Sequence, residues 1–280
     1  MSQKSSGNLK ISILTPSYNQ GRYIEQNIQS VLDQEYSNFE HIVVDGGSTD
    51  NTVEVLKKYS HLKWVSERDE GQADALCKGL KMATGDIIGW INSDDYLVNN
   101  IFHKVVEVFE NINCNWLIGN MITYDERIDH EYRPNYFEIN KKKLFRDPYI
   151  VRQPSGFYKK DVLIEAGGIN PSFYMVADYD LWVRMTLIEE PANIDQYLSV
   201  FRMHGDQKTS MKNLMIQSKE ISSICIRVGN YIGLISVVKK ILSRFLRHYI
   251  KSLLVSLKFI DPIYRDMSMS SKEYVEKARE

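Results

Sequence analysis

The chain has 280 residues, of which 43% are hydrophobic, and its formal net charge is −1. This length is sufficient for one large domain, or for a domain with an appendage, and no low-complexity tract is present. The three cysteines are widely separated and show no CxxC spacing, so the sequence predicts neither a disulfide framework nor a thiolate metal site. A polar N-terminus and the lack of any run of about 18 apolar residues predict no signal peptide and no membrane span.

In chain order, residues 9–120 alternate between short β-rich runs and helical patterns. The predicted strands cover 10–15, 39–44, 61–66, 86–91 and 116–119, and the predicted helices cover 21–34, 48–59, 71–83 and 98–111. Strands separated by helices of this length indicate parallel βαβ units in an α/β fold. Beyond residue 121 the alternation weakens, and a further helix is predicted to begin near Asp178.

Two adjacent acids, Asp94 and Asp95, follow directly after the predicted strand 86–91. Ligands bind at the carboxyl ends of strands in open α/β sheets, and two neighbouring carboxylates repel each other unless a partner compensates. A divalent cation is the usual partner, because Mg²⁺ and Mn²⁺ prefer oxygen ligands. The alternative is a turn in which Asp caps the following helix. These two residues alone leave both interpretations open.

The first two strands also end in polar segments, TPSYN (15–19) and DGGSTD (45–50). In a parallel sheet both segments lie on the same edge as the acid pair, where Tyr18 could stack on a planar base and Asp45 could accept its ring N–H. Ordinary turn chemistry is the alternative for either segment. Neither a GxGxxG nor a GxxxxGK[ST] motif is present, so the sequence does not predict a glycine-rich loop that binds the phosphates of a nucleotide. A carboxylate-bound metal is the natural substitute for neutralising a diphosphate.

Eight motifs, in order, make the chain resemble the family 2 glycosyltransferases, inverting enzymes of the GT-A fold that use nucleotide-diphospho-sugars. They are TPSYN (15–19), VVDGGSTDNT (43–52), SERDEGQADALCKG (66–79), ATGDIIGWINSDD (83–95), RQPSGFY (152–158), EAGGINPSF (165–173), ADYDLWVRM (177–185) and FRMHGDQKT (201–209). The GGSTD and NSDD variants are most similar to the branch that builds bacterial O-antigen and capsular polysaccharides.

The resemblance implies an α/β, GT-A (Rossmann-like), mostly parallel sheet flanked by helices, with a C-terminal helical appendage. The expected catalytic domain covers 1–212, with a nucleotide-binding half at 9–120 and an acceptor half at 121–212. The remaining residues, 213–280, are expected to form a basic, amphipathic helical region.

The same resemblance implies roles for nucleotide-binding residues. Pro16 and Tyr18 would flank the base, usually uracil, and Asp45 would bind it. Asp94 would contact the ribose or a metal-bound water, and Lys78 lies where the family often places a basic residue near the phosphates.

For the metal and the chemistry, the resemblance implies three further residues. Asp95 would bind Mn²⁺ or Mg²⁺ bridging the diphosphate, and His204 matches a histidine near that metal. Asp178 matches the catalytic base, which accepts the proton of the acceptor hydroxyl as it attacks. A metal stabilises the charge that develops on the leaving diphosphate. A helix N-cap for Asp178 and a buried structural role for His204 are the alternatives.

Three positions depart from the family pattern. Asn92 replaces the first acid of the D-x-D-D motif, Ala177 replaces the Glu of a Glu-Asp pair, and Cys77 stands where Asn is usual. Since Asp95 and Asp178 are retained, we expect an active enzyme.

Charge is unevenly distributed along the chain. Residues 221–260 contain no Asp or Glu and seven Lys or Arg, and residues 261–280 sum to −1, which leaves −7 for the first 220 residues. On a helix over 235–260 the apolar and basic residues fall on opposite sides. The apolar side comprises Ile235, Val238, Leu242, Phe245, Tyr249, Leu253, Leu257 and Ile260; the basic side comprises Lys240, Arg244, Arg247, Lys251 and Lys258.

Such a helix is typical of an in-plane membrane anchor attracted by anionic headgroups. The alternative is a terminal helix packed on the catalytic domain, with its basic face in solvent or against the acidic body. We expect the membrane-bound arrangement, because polysaccharide acceptors in this branch are usually lipid-linked.

The sequence therefore predicts a metal-dependent, inverting glycosyltransferase that moves a sugar from a nucleotide-sugar, usually a UDP-sugar, to a lipid-linked saccharide. It is expected to be cytoplasmic and peripheral at the inner face of the plasma membrane. A sugar nucleotidyltransferase is one alternative, but TPSYNQGRY lacks its Gly-rich activating loop. A non-catalytic nucleotide-sugar-binding protein is another alternative. Such a protein would tolerate loss of the catalytic base, whereas Asp178 is present in this sequence. Nucleic acid is not an expected partner, because the body is acidic and no recognition module is present.

Overall fold

The computed structural model describes residues 9–205, 207–208 and 213–256, with no side-chain description at 245 and 247–256. Lys258, Leu257 and Ile260 of the predicted amphipathic helix therefore lie outside the described residues. The side chains of its other distal members, from Phe245 and Arg247 onward, lie outside the described set as well.

The first half of the chain contains the predicted alternation of strands and helices. Its strands are β1 (Ile11–Ser17), β2 (Phe39–Asp45), β3 (Lys63–Ser66), β4 (Ile87–Trp90) and β5 (Tyr96–Leu97). Its helices are α1 (Ile24–Leu32), α2 (Thr52–Leu56), α3 (Gln72–Met82) and α4 (Phe102–Asn111). The helical patterns overestimate the lengths of α1 and α2, because the polar residues that precede each helix form the loops at the sheet edge.

The second half is richer in regular structure than the sequence pattern indicates. Its strands are β6 (Trp116–Asp125), β7 (His130–Tyr132), β8 (Gly156–Lys159) and β9 (Ala192–Met203). Its helices are α5 (Lys141–Arg146), α6 (Lys160–Glu165), α7 (Ala177–Ile188), α8 (Leu214–Arg227) and α9 (Tyr231–Ser256), with a 3-10 turn at Gln153–Ser155.

The nine strands of the described residues form one sheet in the order β3-β2-β1-β4-β8-β6-β9-β5, and β7 pairs with β6. Pairing is parallel within β3-β2-β1-β4 and between β6 and β9. It is antiparallel where β8 joins β4 and β6, and at β5 and β7. The predicted α/β fold with flanking helices is confirmed, and the antiparallel strands extend its parallel half.

Helices cover both faces of the sheet. Successive residues of a strand point to opposite faces, so one strand contributes side chains to both layers. Along β4, Ile87 packs with α4 on one face, whereas Ile88 belongs to the core that contains residues of α3 and α7 on the other. Every residue of β1 is buried, as expected for a parallel strand covered on both sides.

The two C-terminal helices share a hydrophobic core with the sheet. Ile221 and Ile224 of α8 and Val237 of α9 are buried in the same cluster as Trp182 of α7. Each of these three aliphatic side chains is no more than 2% exposed, so the free energy of burying them contributes to the stability of the whole fold.

An ion-pair network also joins α8 to α7. Asp180 is fully buried and receives Arg184 Nη2 at 2.7 Å, together with the guanidinium of Arg227 at the end of α8. A buried carboxylate of this kind is stable only while its partners remain. None of the helices in the described residues is long and apolar enough to cross a membrane.

Candidate active site

A cleft of about 840 Å³ opens at the edge of the sheet where β1, β2 and β4 end. Its wall combines the loops after these strands with residues of the second half. The first half contributes Pro16, Tyr18, Gly46, Arg68, Asp69, Gln72, Asn92 and Asp94, among others. The second half contributes Tyr149, Gln153, Tyr174, Asp178, Lys208, Gln217, Lys240 and Arg244, among others.

The loops after β1 and β2 hold each other in place through hydrogen bonds. Asn19 has a left-handed backbone (φ 52°), and its N–H donates to Ser48 Oγ at 2.7 Å. Its side-chain oxygen accepts from the N–H of Thr49 at 2.8 Å. The next two N–H groups of the first loop donate to side chains of the second loop at 2.9 Å. This interlocking fixes Tyr18 beside the cleft with 58% of its surface exposed.

Asp45 is fully buried beneath these loops. Its carboxylate accepts from the N–H of Ser48 at 2.9 Å and from the hydroxyl of Ser66 at 2.6 Å. The carboxylate thus holds the turn after β2, while the neighbouring Gly46 lines the cleft. A Cβ atom at Gly46 would lie 2.7 Å from a carboxylate oxygen of Asp69, so the glycine lets Asp69 approach the wall.

The structure separates the two adjacent acids, Asp94 and Asp95. Asp94 lines the cleft, and its side chain is 21% exposed. Asp95 is 1% exposed and points into the protein, where its Oδ1 accepts from the N–H of Arg202 at 2.9 Å. Burial raises the pKa of Asp95 well above its ordinary value, and the charge of Asp94 raises it further.

His204 lies beside Asp94 at the end of β9. The Nε2 atom of His204 is 3.1 Å from Asp94 Oδ2, and its ring centroid is 4.6 Å from that of Tyr23. Arg202 connects this strand to the acid pair, because its Nε donates to the carbonyl of Asp94 at 3.0 Å. Residues more than a hundred positions apart in sequence thus meet at Asp94, which lines the cleft, whereas His204 and Arg202 are buried behind it.

The side chains present suit a divalent cation that is shared with a phosphorylated ligand. Among the described residues, no group of three or more His, Cys, Asp or Glu lies close enough to hold a metal by itself. Asp94 and His204 form a pair, and divalent cations in nucleotide sites often take only one or two side-chain ligands and complete their shell with phosphate oxygens and water. The donor set therefore fits such an ion.

Asn92 belongs to a network of side-chain amides below the acid pair. Its Oδ1 accepts from Gln72 Nε2 at 2.6 Å and from Trp90 Nε1 at 2.9 Å. Its Nδ2 donates to Gln153 Oε1 at 3.2 Å. Each partner offers the donor or acceptor that the amide of Asn92 requires. The replacement of the first acid of the D-x-D-D motif by Asn92 is therefore matched by its neighbours.

Asp178 lines the cleft in the first turn of α7. The N–H of Tyr179 donates to its Oδ1 at 2.8 Å. Burial raises the pKa of Asp178 to about 6 from an ordinary 3.8, against the opposing effect of that N–H and of the Lys208 charge. A carboxylate with this pKa is well suited to accept a proton near neutral pH.

Lys78 lies outside the wall of the cleft. Its Nζ is 2.8 Å from a carboxylate oxygen of Glu67 and 3.5 Å from one of Asp74. The cations that do line the cleft are Arg68, Lys208, Lys240 and Arg244. Lys208 stands within the FRMHGDQKT motif and Arg68 within SERDEGQADALCKG, which could have identified them, whereas no motif marks Lys240 or Arg244.

Comparison with known proteins identifies a family. The sequence model of the family described as "Glycosyl transferase family 2" matches residues 12–166. The chain is 26% identical over 214 residues to an uncharacterised glycosyltransferase of Nostoc sp., covering 70% of this chain and 66% of that protein. It is 36% identical over 110 residues to the putative teichuronic acid biosynthesis glycosyltransferase TuaG of Bacillus subtilis, covering 37% and 43%. The chain thus spans less than two thirds of either relative.

The structure is similar to that of residues 1–349 of TarS from S. aureus, solved in complex with UDP-GlcNAc. The TM-score is 0.63 at 18% sequence identity, and the match covers 78% of this chain and 67% of that one. This similarity shows the GT-A fold. Because the family match extends over more than half of the sequence, including β1 to β4 and the acid pair, the chain belongs to glycosyl transferase family 2.

Proposed function

We propose that this protein is a metal-dependent, inverting glycosyltransferase that moves a sugar from a UDP-sugar to a hydroxyl of a lipid-linked saccharide during polysaccharide synthesis. The observation that carries the proposal is the placement of Asp178 in the same cleft as Asp94 and Tyr18. A nucleotide-sugar bound at the edge with Tyr18 and Asp94 would then lie in the same cleft as Asp178, which could accept the proton of the acceptor hydroxyl.

Tyr18 and Pro16 are proposed to bind the base. The exposed ring of Tyr18 offers a stacking surface that the interlocked loops hold in position. Arg68, from the loop after β3, lines the same wall and would provide positive charge for the diphosphate. Asp45, the last residue of β2, and Lys78, on α3, do not line the cleft, so their predicted contacts with the nucleotide would require a rearrangement of the neighbouring segments.

Asp94 and His204 are proposed to hold the metal. A divalent cation bound there would offset the negative charge that develops on the leaving diphosphate. Asp95 was the predicted ligand, but in this structure its carboxylate is occupied by the N–H of Arg202 and by Asn92. We therefore propose that Asp95 positions Asp94 from below through the turn and through Arg202.

Asp178 is proposed to accept the proton of the acceptor hydroxyl. With a pKa of about 6, most of its population is ionised at pH 7, and the carboxylate oxygen that takes no N–H bond from Tyr179 could receive the proton. Attack from the side of Asp178 displaces the nucleotide from the opposite face of the sugar, which inverts the anomeric configuration.

A thermal-shift screen tests the donor and the metal. The full chain is heated with UDP, UDP-GlcNAc, UDP-glucose and GDP-mannose, each with and without Mn²⁺. We expect a UDP compound to raise the melting temperature most, and only weakly without Mn²⁺ or in Asp94→Asn. Release of UDP during slow donor hydrolysis would separate the transferase from a binding protein. Release of pyrophosphate from UTP and a sugar phosphate would indicate the nucleotidyltransferase instead.

The membrane surface is proposed to bind the outer face of α9. Ile235, Val238, Leu242 and Leu246 form an apolar stripe there, and each is at least 54% exposed. Two described basic residues of the helix, Lys240 and Arg244, lie on the opposite, inward face. A third, Lys239, is exposed beside the stripe. The occupant is therefore a lipid bilayer with apolar contact as the main attraction.

Single charges on the stripe test this membrane contact. Leu242→Glu should weaken sedimentation of the full chain with vesicles of phosphatidylcholine and phosphatidylglycerol at least about ten-fold, since it places a carboxylate in apolar surroundings. Ile112→Glu is the matched control, because Ile112 is 50% exposed and follows α4 on the opposite face of the sheet. Equal binding of the two variants would contradict the proposal.

A further inference from the structure

Two basic side chains of α9 line the cleft that contains Tyr18 and Asp178. Lys240 and Arg244 are four residues apart, which places them one turn from each other on the same face of the helix. Val237, near the same face, is 2% exposed. This face is therefore turned to the body of the protein, and its longer side chains reach the cleft.

The ring of Tyr149 contacts Lys240. The Nζ atom of Lys240 lies 3.0 Å from the centroid of the Tyr149 ring, an arrangement in which the ring face attracts the cation. Arg244 is close enough for its charge to act on the same phenol. The ring itself also lines the cleft, so Tyr149, Lys240 and Arg244 form one continuous part of its wall.

Charge is distributed unequally along the wall. Among its described residues, the part formed after residue 147 has one acid, Asp178, and three bases, Lys208, Lys240 and Arg244. The part formed by earlier residues has two acids and one base. The positive excess therefore lies on the same side of the cleft as Asp178, the proposed catalytic base.

We propose that Lys240 and Arg244 bind an anionic group of the acceptor, a phosphate or a carboxylate, and thereby determine acceptor specificity. This inference rests on the proposed function, since it takes the wall after residue 147 as the acceptor side. A guanidinium and an ammonium group together suit the oxygens of either anion. Both residues lie beyond the family match, which ends at residue 166.

Isothermal titration of the full chain with small probes tests the pair. Methyl phosphate, methyl β-glucuronide and the neutral methyl β-glucoside are titrated into protein saturated with UDP, and again without UDP. The variants are Lys240→Gln, Arg244→Gln and Lys240→Arg. Lys239→Gln is the matched control, because it removes the same charge from the neighbouring, exposed position.

We expect one anion to bind at least about ten-fold more tightly than the neutral glucoside. Lys240→Gln and Arg244→Gln should each lose most of that preference, whereas Lys240→Arg and Lys239→Gln should retain it. Preference for methyl phosphate would identify the lipid-phosphate end of the acceptor as the ligand, and preference for the glucuronide would identify an acidic sugar.

Three results would overturn the inference. They are the absence of any anion preference, an equal loss in Lys239→Gln, and a loss of UDP affinity in Lys240→Gln, which would place these cations at the donor. Failure of the unaltered protein to bind UDP would instead reject the proposed function. The titrations without UDP would still show whether the pair binds anions.

Discussion

Replacing Asp178 by Asn should have opposite effects on catalysis and on stability. The amide preserves the shape of the side chain but does not accept the proton of an attacking hydroxyl. Loss of a positioned general base typically lowers the rate by about 10²–10⁴-fold. UDP affinity should remain, because the residues proposed to bind the nucleobase, Pro16 and Tyr18, lie at the end of β1 and directly after it rather than on α7.

The gain in stability follows from the pKa of Asp178. Burial raises this pKa from 3.8 to about 6, so the folded protein binds the proton more tightly than the unfolded chain does. Above pH 6 the folded state bears the full cost of ionisation, at most about 3 kcal/mol. Below pH 3.8 both states are protonated and the cost disappears. Since cleft solvent screens the partly buried carboxylate, we expect Asn to stabilise by about 1–3 kcal/mol at pH 8 and not at pH 4.

Urea unfolding of the full chain at pH 4, 6 and 8 measures this difference. Asp161→Asn is the matched control, since Asp161 lies in the first turn of α6, accepts from the next N–H at 2.9 Å and is exposed. The transfer rate of the unaltered enzyme should rise with pH through about 6. Retained sugar transfer in Asp178→Asn would refute the role as base, and equal stabilisation at pH 4 and pH 8 would refute the electrostatic reasoning.

Three other substitutions have defined outcomes. Tyr18→Ala should weaken UDP binding by roughly the 1–3 kcal/mol of a lost stacking contact, measured by titration, with no change in melting temperature; unchanged affinity would remove the ring from the base site. Asn92→Asp should destabilise by about 1–3 kcal/mol, because an acid oxygen would face Gln153 Oε1; unchanged urea midpoints would contradict this donor arrangement. Asp180→Asn should cost about 1–3 kcal/mol, since it removes the charge shared by Arg184 and Arg227, whose partly exposed guanidinium groups are screened by solvent; an unchanged urea midpoint would show that these ion pairs do not stabilise the fold.

Local patterns were sufficient to predict the first half of the fold. Strands β1 to β4 are apolar runs between turn residues, and each polar segment that follows them lies at the predicted sheet edge. Strand β9 was not predicted, because its residues alternate irregularly between buried and partly exposed positions. It is held by pairing with β6, a contact that does not leave a period in the sequence.

Of the predicted site residues, Pro16, Tyr18, Asp94 and Asp178 line one cleft, but the sequence did not predict how the others are arranged around it. Asp94 and Asp95 are adjacent in sequence, and the sequence does not show that the N–H of Arg202, far along the chain, binds the carboxylate of Asp95 rather than that of Asp94. The two faces of α9 were assigned correctly as an apolar and a basic face over the described positions. Which face packs inward depends on the surface that receives it, where Tyr149 and the cleft accept the cations.

With the proposed membrane contact, the two faces of α9 would set the distance between the bilayer and the cleft. An α-helix with its side chains is about 10–12 Å across. If the outer stripe of Ile235, Val238, Leu242 and Leu246 rests in the lipid interface, the cleft wall at Lys240 stands about one helix diameter above it. A saccharide tethered to that bilayer would reach Asp178 only if its head group and first sugars cover this height. The thickness of one helix would then set the minimum length of an acceptor that can reach the cleft.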